Sequence, residues 1–396
     1  MLAPTFSTVL SRSLLTLLAL FLFAPSLPAD DALEKPFVHP GLLHTEDELD
    51  FIRAKLAQQE EPWQSAWQNM QESPDASLSY KPQPRADVVR GARARPDIGS
   101  SDFTRDGGAA YLHALQWALT GEKDHARKAI EIIDAWSATL ETIKGHDARL
   151  LIGMDGIDYL NAAELLRHLG GDWPDEGQAR FEQMLREVFY PVIEDFHPSA
   201  NGNWDASMIQ TMMAMGIFLD DRPMFDRAVT YYREGEGNGA IGNYLNEIGQ
   251  CQESGRDQLH VQMGLGYLGV ACEIAWKQGV DLYAAHDNRL ALGFEYSAKY
   301  NLGEEVPYRR FRSIDGRYDY EELSSKGRGR FRPIYERVLH HYRDRRGLEL
   351  PWSERVAREQ RPEGSHSQHV SWGTLTAFGQ ETSPASQPEP DPSSKE

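Results

Sequence analysis

From Leu259 to Trp276 the chain is apolar around the whole circumference of a helix. Leu259, Val261, Met263, Leu265, Tyr267, Leu268, Val270, Ala271, Ile274 and Trp276 recur without leaving a polar face, a pattern that belongs in a protein interior. Its entrance, GQCQESGRDQLH from Gly249 to His260, is instead crowded with Gln250, Gln252, Glu253, Arg256, Gln258 and His260. Polar groups at the mouth of a buried helix are costly unless they are paired or working. This conflict marks the first candidate site.

Elsewhere the pattern predicts helical hairpins. Gly108–Leu119 turns at Gly121 into Lys123–Thr142, and Ile157–Leu169 turns at Gly170-Gly171 into Glu176–Phe196. Met208–Leu219 turns at 220–223 into Met224–Arg233, and His260–Gln278 turns at Gly279 into Ala284–Asn301. Short Gly, Asp or Pro connections are the mark of antiparallel helical hairpins. Strand-like alternation is nearly absent. Repeated hairpins without a shared sequence period favour a closed ring over a regular solenoid. The expected fold is all-α: an (α/α) toroid, an incomplete barrel of helical hairpins. Near the start, Thr45–Glu48 reads as a capping box, and Trp63, Trp67 and Met70 share one face of a helix opened by Pro62. The Pro- and Arg-rich stretch 73–101 reads as a surface loop. Its Arg85, Arg90, Arg93 and Arg95 are either solvated charges or cleft-lining ones.

Composition sets the ends aside. Residues 1–29 combine Arg12, an apolar run from Leu14 to Ala24 and a small-residue cleavage site, and read as a secretory signal peptide. Residues 30–380 form the toroid domain, and the Pro-, Ser- and acid-rich 381–396 reads as a disordered tail. The expected location is periplasmic or secreted. A formal net charge of −19 argues against nucleic acid and anionic membranes as partners. No membrane association is expected once the signal is cleaved. The two cysteines, Cys251 and Cys272, are either bridged or free.

Three further constellations carry candidate chemistry. Arg289, Gly293, Tyr296 and Tyr300 fall on one helical face, either as a ligand-binding face or as structural tyrosines beside a surface arginine. Asn201-Gly202-Asn203-Trp204-Asp205 offers two amides and an indole for a sugar, or else a turn followed by a helix cap. Gly364–His369 with Trp372 is a polar loop that brings His369 into consideration. Glu253, Asp257 and Asp205 leave a paired-carboxylate glycosidase open. GxSxG, phosphate-binding glycine loops, HExxH and CxxC are all missing, so those chemistries fare worse, and no cofactor is expected.

The strings HPGLLHTEDELDFIRAKLAQQEEPW, NGNW, GQCQESGRDQLH and DNRLALGFEYSAKYNLG resemble the alginate lyase superfamily, and more narrowly polysaccharide lyase family 38. The resemblance implies β-elimination of an anionic 1,4-linked uronate polysaccharide, polymannuronate (alginate) or glucuronan, without an obligatory metal. It implies carboxylate neutralisation by Asn203, Arg289 and Gln252, and an acid–base pair of His260 and Tyr296, with Tyr300 as the alternative tyrosine. Substrate binding would fall to Asn201, Trp204, Gln252, Glu253, Arg256, Tyr300 and His369. The competing readings are a glycoside hydrolase on the same toroid and a non-catalytic secreted glycan-binding protein.

Overall fold

The computed structural model describes residues 35–379 together with Met1. The expected signal peptide and tail lie outside the described residues. The unit that begins at Phe37 contains α1 (Glu46–Ala57), α2 (Trp63–Gln71), α3 (Ser100–Thr120), α4 (Lys123–Ser137), α5 (Ala148–His168), α6 (Asp175–Met184), α7 (Tyr190–Ile193), α8 (Gly202–Phe218), α9 (Arg222–Glu234), α10 (Ile241–Tyr244), α11 (Gln258–Lys277), α12 (Ala285–Asn301), α13 (Tyr335–Leu339), α14 (Pro351–Gln360) and α15 (Gly373–Ala377).

Each hairpin pairs a helix buried on nearly all sides with an amphipathic one. In α3, residues 109–119 are buried without a break, whereas its partner α4 buries a stripe of Ala126, Ala129, Ile132, Ile133 and Trp136. Gly121, left-handed at φ 76°, caps α3 and reverses the chain, a backbone state for which glycine is suited. The inner helices pack in sequence: α3 on α5, α5 on α8, α8 on α11. The terminal helices complete the arc, with α1 against α3, α15 against α1 and α2, and α13 against both α11 and α15. The result is the expected (α/α) toroid.

Three inner helices begin earlier than the apolar pattern suggests: α3, which starts at Ser100 instead of Gly108, α5 and α8. α5 starts at Ala148, because Gly153 lets it approach Ser207 of α8 so closely that an added Cβ would lie 2.3 Å from the Ser207 hydroxyl oxygen. α8 starts at Gly202, so the Asn-Gly pair opens a helix instead of forming a free turn. The Arg-rich stretch is only partly loop. β1 (Asp87–Arg90) and β2 (Asp97–Ile98) pair antiparallel, and β3 (Thr142–Lys144) joins β1 in parallel. α12 is irregular at its start, where His286, Asp287 and Asn288 are all left-handed; Arg289 is therefore the first residue of its regular part. On α11, Gly264, Gly266 and Gly269 are met by Tyr244, by Ile334 with His369, and by Val338, each closer than a Cβ would tolerate.

Candidate active site

Helix α11 starts on Asp257, whose carboxylate accepts the backbone N–H groups of Leu259 (3.1 Å) and His260 (2.9 Å), a standard N-cap. The same carboxylate takes the His260 Nδ1–H at 2.7 Å. Burial pushes the Asp257 carboxyl up, but the hydrogen bonds from His260 and the charge of Arg256 outweigh it and hold it well below the usual range. On the other edge of the imidazole, Arg256 Nη2 lies 3.1 Å from Nε2. A guanidinium only donates, so Nδ1 carries the proton and Nε2 is the acceptor. Arg256 is held in turn by Glu253, Nη1 to Oε1 at 2.6 Å. The other oxygen of Glu253 accepts the Tyr244 hydroxyl (3.0 Å) and the Asn203 N–H (3.1 Å). Burial raises the Glu253 carboxyl above its ordinary value despite Arg256 and His260.

The first turn of α8 is therefore fastened to the turn before α11. Gly202 N–H reaches Gln252 Oε1 at 3.4 Å, and a Cβ on Gly202 would sit 2.2 Å from the Tyr244 ring. The side-chain tips that remain have no partner within the protein: both amide atoms of Asn203, Asn201 Oδ1 and Gln252 Nε2. A buried polar group left so costs about 1–3 kcal/mol, which a ligand's hydroxyls or carboxylate would offset.

The α12 face lies across the same segment. Arg289 Nη1 donates to Leu245 O at 3.1 Å while its Nε is unpartnered, and Leu245 pairs with Cys251 in an isolated bridge. Tyr296 is buried, and its hydroxyl donates to Pro307 O at 2.7 Å. Burial, then Tyr308 and Tyr300, push the Tyr296 phenol well above its usual value. Tyr300 is covered by the Arg328 guanidinium, 4.0 Å from its ring centre. A long irregular segment, 303–334, straps this region: Gln250 exchanges two hydrogen bonds with the Arg309 backbone (2.6 and 2.8 Å), Ser324 N–H reaches Ser254 O, Lys326 O accepts Gln258 N–H, and Gly255 lies under Tyr320.

Asn203, Glu253, Arg256 and His260 thus form one connected chain, with Gln252 joined through the Gly202 N–H and Asn201 next to it at the N-cap position of α8. Arg289 touches its supporting segment, whereas Tyr296 and Tyr300 are tied to the strap. Glu253 is fully buried with both oxygens occupied, so this residue, expected to bind substrate, is a support for Arg256 and α8. Trp204 is half-buried, edge-on to His146 and His197. His369 is buried against Tyr267 and His366 with Nε2 unpartnered. His369 lines a small pocket with Gly266, Ile334 and Val338, whereas its neighbours His366 and Gln368 line a separate cavity of about 320 Å³ with Arg90, Thr104, Asp158 and Trp372 among others. Of the loop arginines, Arg90 lines this cavity and Arg85 pairs with Asp102 at the surface.

The three carboxylates considered for a glycosidase pair are all engaged. Asp205 accepts from His197 N–H, Tyr231 and Gly239 N–H, and burial raises it to about 6. Cys251 and Cys272 are free and buried. Sequence reasoning passed over Tyr244 and the role of Asp257 in orienting His260. The second was legible as an Asp before a helix with a His three residues on; the first depends on a fold contact.

A family model described as alginate lyase matches residues 52–306. The chain belongs to the alginate lyase family. Membership makes it a polysaccharide lyase, an enzyme. No curated protein sequence matches this lyase. Among solved structures it is similar to an alginate lyase from Bacteroides ovatus, with 12% identity over 85% of this chain and 99% of that one, TM-score 0.58. It is also similar to alginate lyase A1-III from Sphingomonas species A1. A tyrosine-to-phenylalanine variant of A1-III complexed with tetrasaccharide gives 17% identity, 90% and 100% coverage and a TM-score of 0.62. A histidine-to-alanine variant, also with tetrasaccharide, gives 16%, 90%, 100% and 0.63. At these identities the likeness speaks for the toroid of the lyase.

Proposed function

We propose that this lyase cleaves a 1,4-linked uronate polymer, polymannuronate (alginate) or glucuronan, by β-elimination. The observation that carries the reading is the set of unpartnered amides of Asn201, Asn203 and Gln252 beside an imidazole oriented by Asp257. Abstracting the proton at C5 puts a second negative charge on the adjoining carboxylate, so donors must meet that carboxylate first. Asn203, Gln252 and Arg289 supply them. His260 Nε2 then takes the C5 proton, exchanging the Arg256 hydrogen bond for it, and Asp257 stabilises the imidazolium formed. Tyr296 protonates O4 of the leaving sugar. Its raised phenol suits a proton donor; where H5 and O4 lie on one face of the uronate, the same tyrosine is the alternative for both steps. To donate, the hydroxyl must turn from Pro307.

Further support comes from the A1-III variants, one lacking a tyrosine hydroxyl and the other a histidine imidazole, both of which hold a tetrasaccharide. Asn201, Trp204 and His369 are assigned to binding neighbouring sugars, and Tyr300 is the alternative acid. The narrower placement in polysaccharide lyase family 38 rests on the strings quoted above. A periplasmic or secreted location fits the N-terminal sequence. Among the described residues, no helix is long and apolar enough to cross a membrane.

The test is the ultraviolet absorbance of an unsaturated uronate product across a panel of uronate polymers, for wild type and Tyr296→Phe. Turnover of the variant should fall by about 10²–10⁴-fold with folding retained. Near-full activity in Tyr296→Phe and Tyr300→Phe alike would end the mechanism. Saturated products alone would end the lyase assignment.

A further inference from the structure

At the C-terminal end of α5, away from the cluster described above, Glu164 and His168 stand one turn apart on one helical face. The N-terminal arm brings His39 against them. His39 Nδ1 lies 2.7 Å from Glu164 Oε1, and His168 Nε2 lies 3.6 Å from Glu164 Oε2. One ligand atom from each of the three residues falls within 4.8 Å of the others. The arrangement is incompletely satisfied. Glu164 is only 1% exposed, yet its Oε2 has no hydrogen-bond partner, and neither has His168 Nε2. The two imidazoles stack at 4.2 Å between ring centres, so a charge on both would be repulsive.

From this juxtaposition we propose that His39 Nδ1, Glu164 and His168 Nε2 bind a divalent transition-metal ion of the zinc type. Two imidazoles and one carboxylate are a borderline-soft donor set that suits zinc and disfavours magnesium or calcium. The far nitrogen of His39, Nε2, is 3.3 Å from the Asp220 carboxylate. A ligating histidine characteristically donates its other N–H to such a carboxylate, which fixes the ring for the metal. The site also receives the negative end of the α5 dipole, which favours a cation. Only a small opening of the His39–Glu164 hydrogen bond is needed to admit the ion. The ion's role is structural. It ties the arm, held otherwise by Val38 and Gly41 to Gln278 and by Leu43 to Asn161, to the last turn of α5.

The experiment uses the full chain without a purification tag, stripped with a chelator and titrated with Zn²⁺ by calorimetry, with metal content measured after dialysis. Wild type should take up one equivalent and melt at a higher temperature with Zn²⁺ than without, with excess Mg²⁺ unable to replace it. Glu164→Gln is a poor probe because Glu164 also accepts the Gly41 N–H. The half-buried His168→Ala is the informative variant, its fold verified by circular dichroism. It should bind at least about tenfold more weakly and lose the thermal shift, and His39→Ala should behave alike. Failure of wild type to bind Zn²⁺, or the same uptake and thermal shift in His168→Ala, would overturn the site and leave an imidazolium–carboxylate contact in its place.

Discussion

The start of α11 and the face of α12 offer similar side chains in opposite states of readiness. At α11, every group behind His260 is fixed by another: Asp257 holds Nδ1, Glu253 holds Arg256, and Tyr244 and Asn203 N–H hold Glu253. What is left over is a row of unpartnered amide tips. On α12 the order is reversed. The tips themselves are bound, Tyr296 to Pro307 O and Arg289 to Leu245 O, and what holds them is backbone in irregular segments. The first arrangement has its amide donors free before substrate arrives and only His260 exchanges a protein hydrogen bond, the one with Arg256, while in the second both tips must exchange one. Removing a prepared group should therefore cost turnover outright. Removing what restrains the α12 tips should change how easily the site is reached.

The largest effect is expected from His260→Ala and Asn203→Ala, each lowering turnover by about 10²–10⁴-fold with near-native melting. Product absorbance on a uronate polymer measures it, and an active Asn203→Ala would break the claim that the α11 side is the prepared one.

Buried carboxylates sharpen the contrast next. Glu253 is met by three donors, whereas Asp155 on α5 has one hydroxyl, Thr104 at 2.6 Å, and burial raises it to about 7. A carboxyl raised on folding contributes stability that is fully present below its ordinary value of about 4 and lost as pH rises through about 7. Asp155→Asn should remove that slope, worth on the order of a few kcal/mol. Urea midpoints at several pH values test it, and an unchanged slope would count against a protonated Asp155. Glu253→Gln should cost about 1–3 kcal/mol of stability by weakening the hold on Arg256. Its effect on turnover should stay below that of Tyr296→Phe, since β-elimination needs no carboxylic acid. The smallest change is expected for Gln250→Ala, about 1 kcal/mol, which frees the strap at Arg309. Its signature is a shift in KM larger than that in kcat.

Local signals gave away much of this fold. The all-round apolar α11, the Thr45 capping box and the glycine-ended hairpins each depend on neighbours within a turn or two, and each is seen in the structure. The starts of α5 and α8 were hidden because Gly153 and Gly202 lower helix propensity and make sense only through Ser207 and Tyr244, residues tens of positions away. The polar entrance was visible as a conflict, but not its internal pairing. Arg256 reads in sequence as a charge available to substrate, and only the fold shows it spent between Glu253 and His260. The strap 303–334 has no periodicity at all, so nothing local said that it would lie over Gly255 and Tyr300.

One feature of α11 bears on how the molecule assembles. The helix at the heart of the ring carries Gly264, Gly266 and Gly269, each pressed by a neighbour's side chain. Each glycine costs an isolated helix about 1 kcal/mol relative to alanine, so this segment is poorly equipped to form alone. Its helical state is lent by Tyr244, Ile334 and Val338, which arrive from other parts of the ring. In folding, α11 should accordingly be a late element that sets when the ring shuts. Its amide hydrogens should then exchange with solvent only as fast as the whole ring opens.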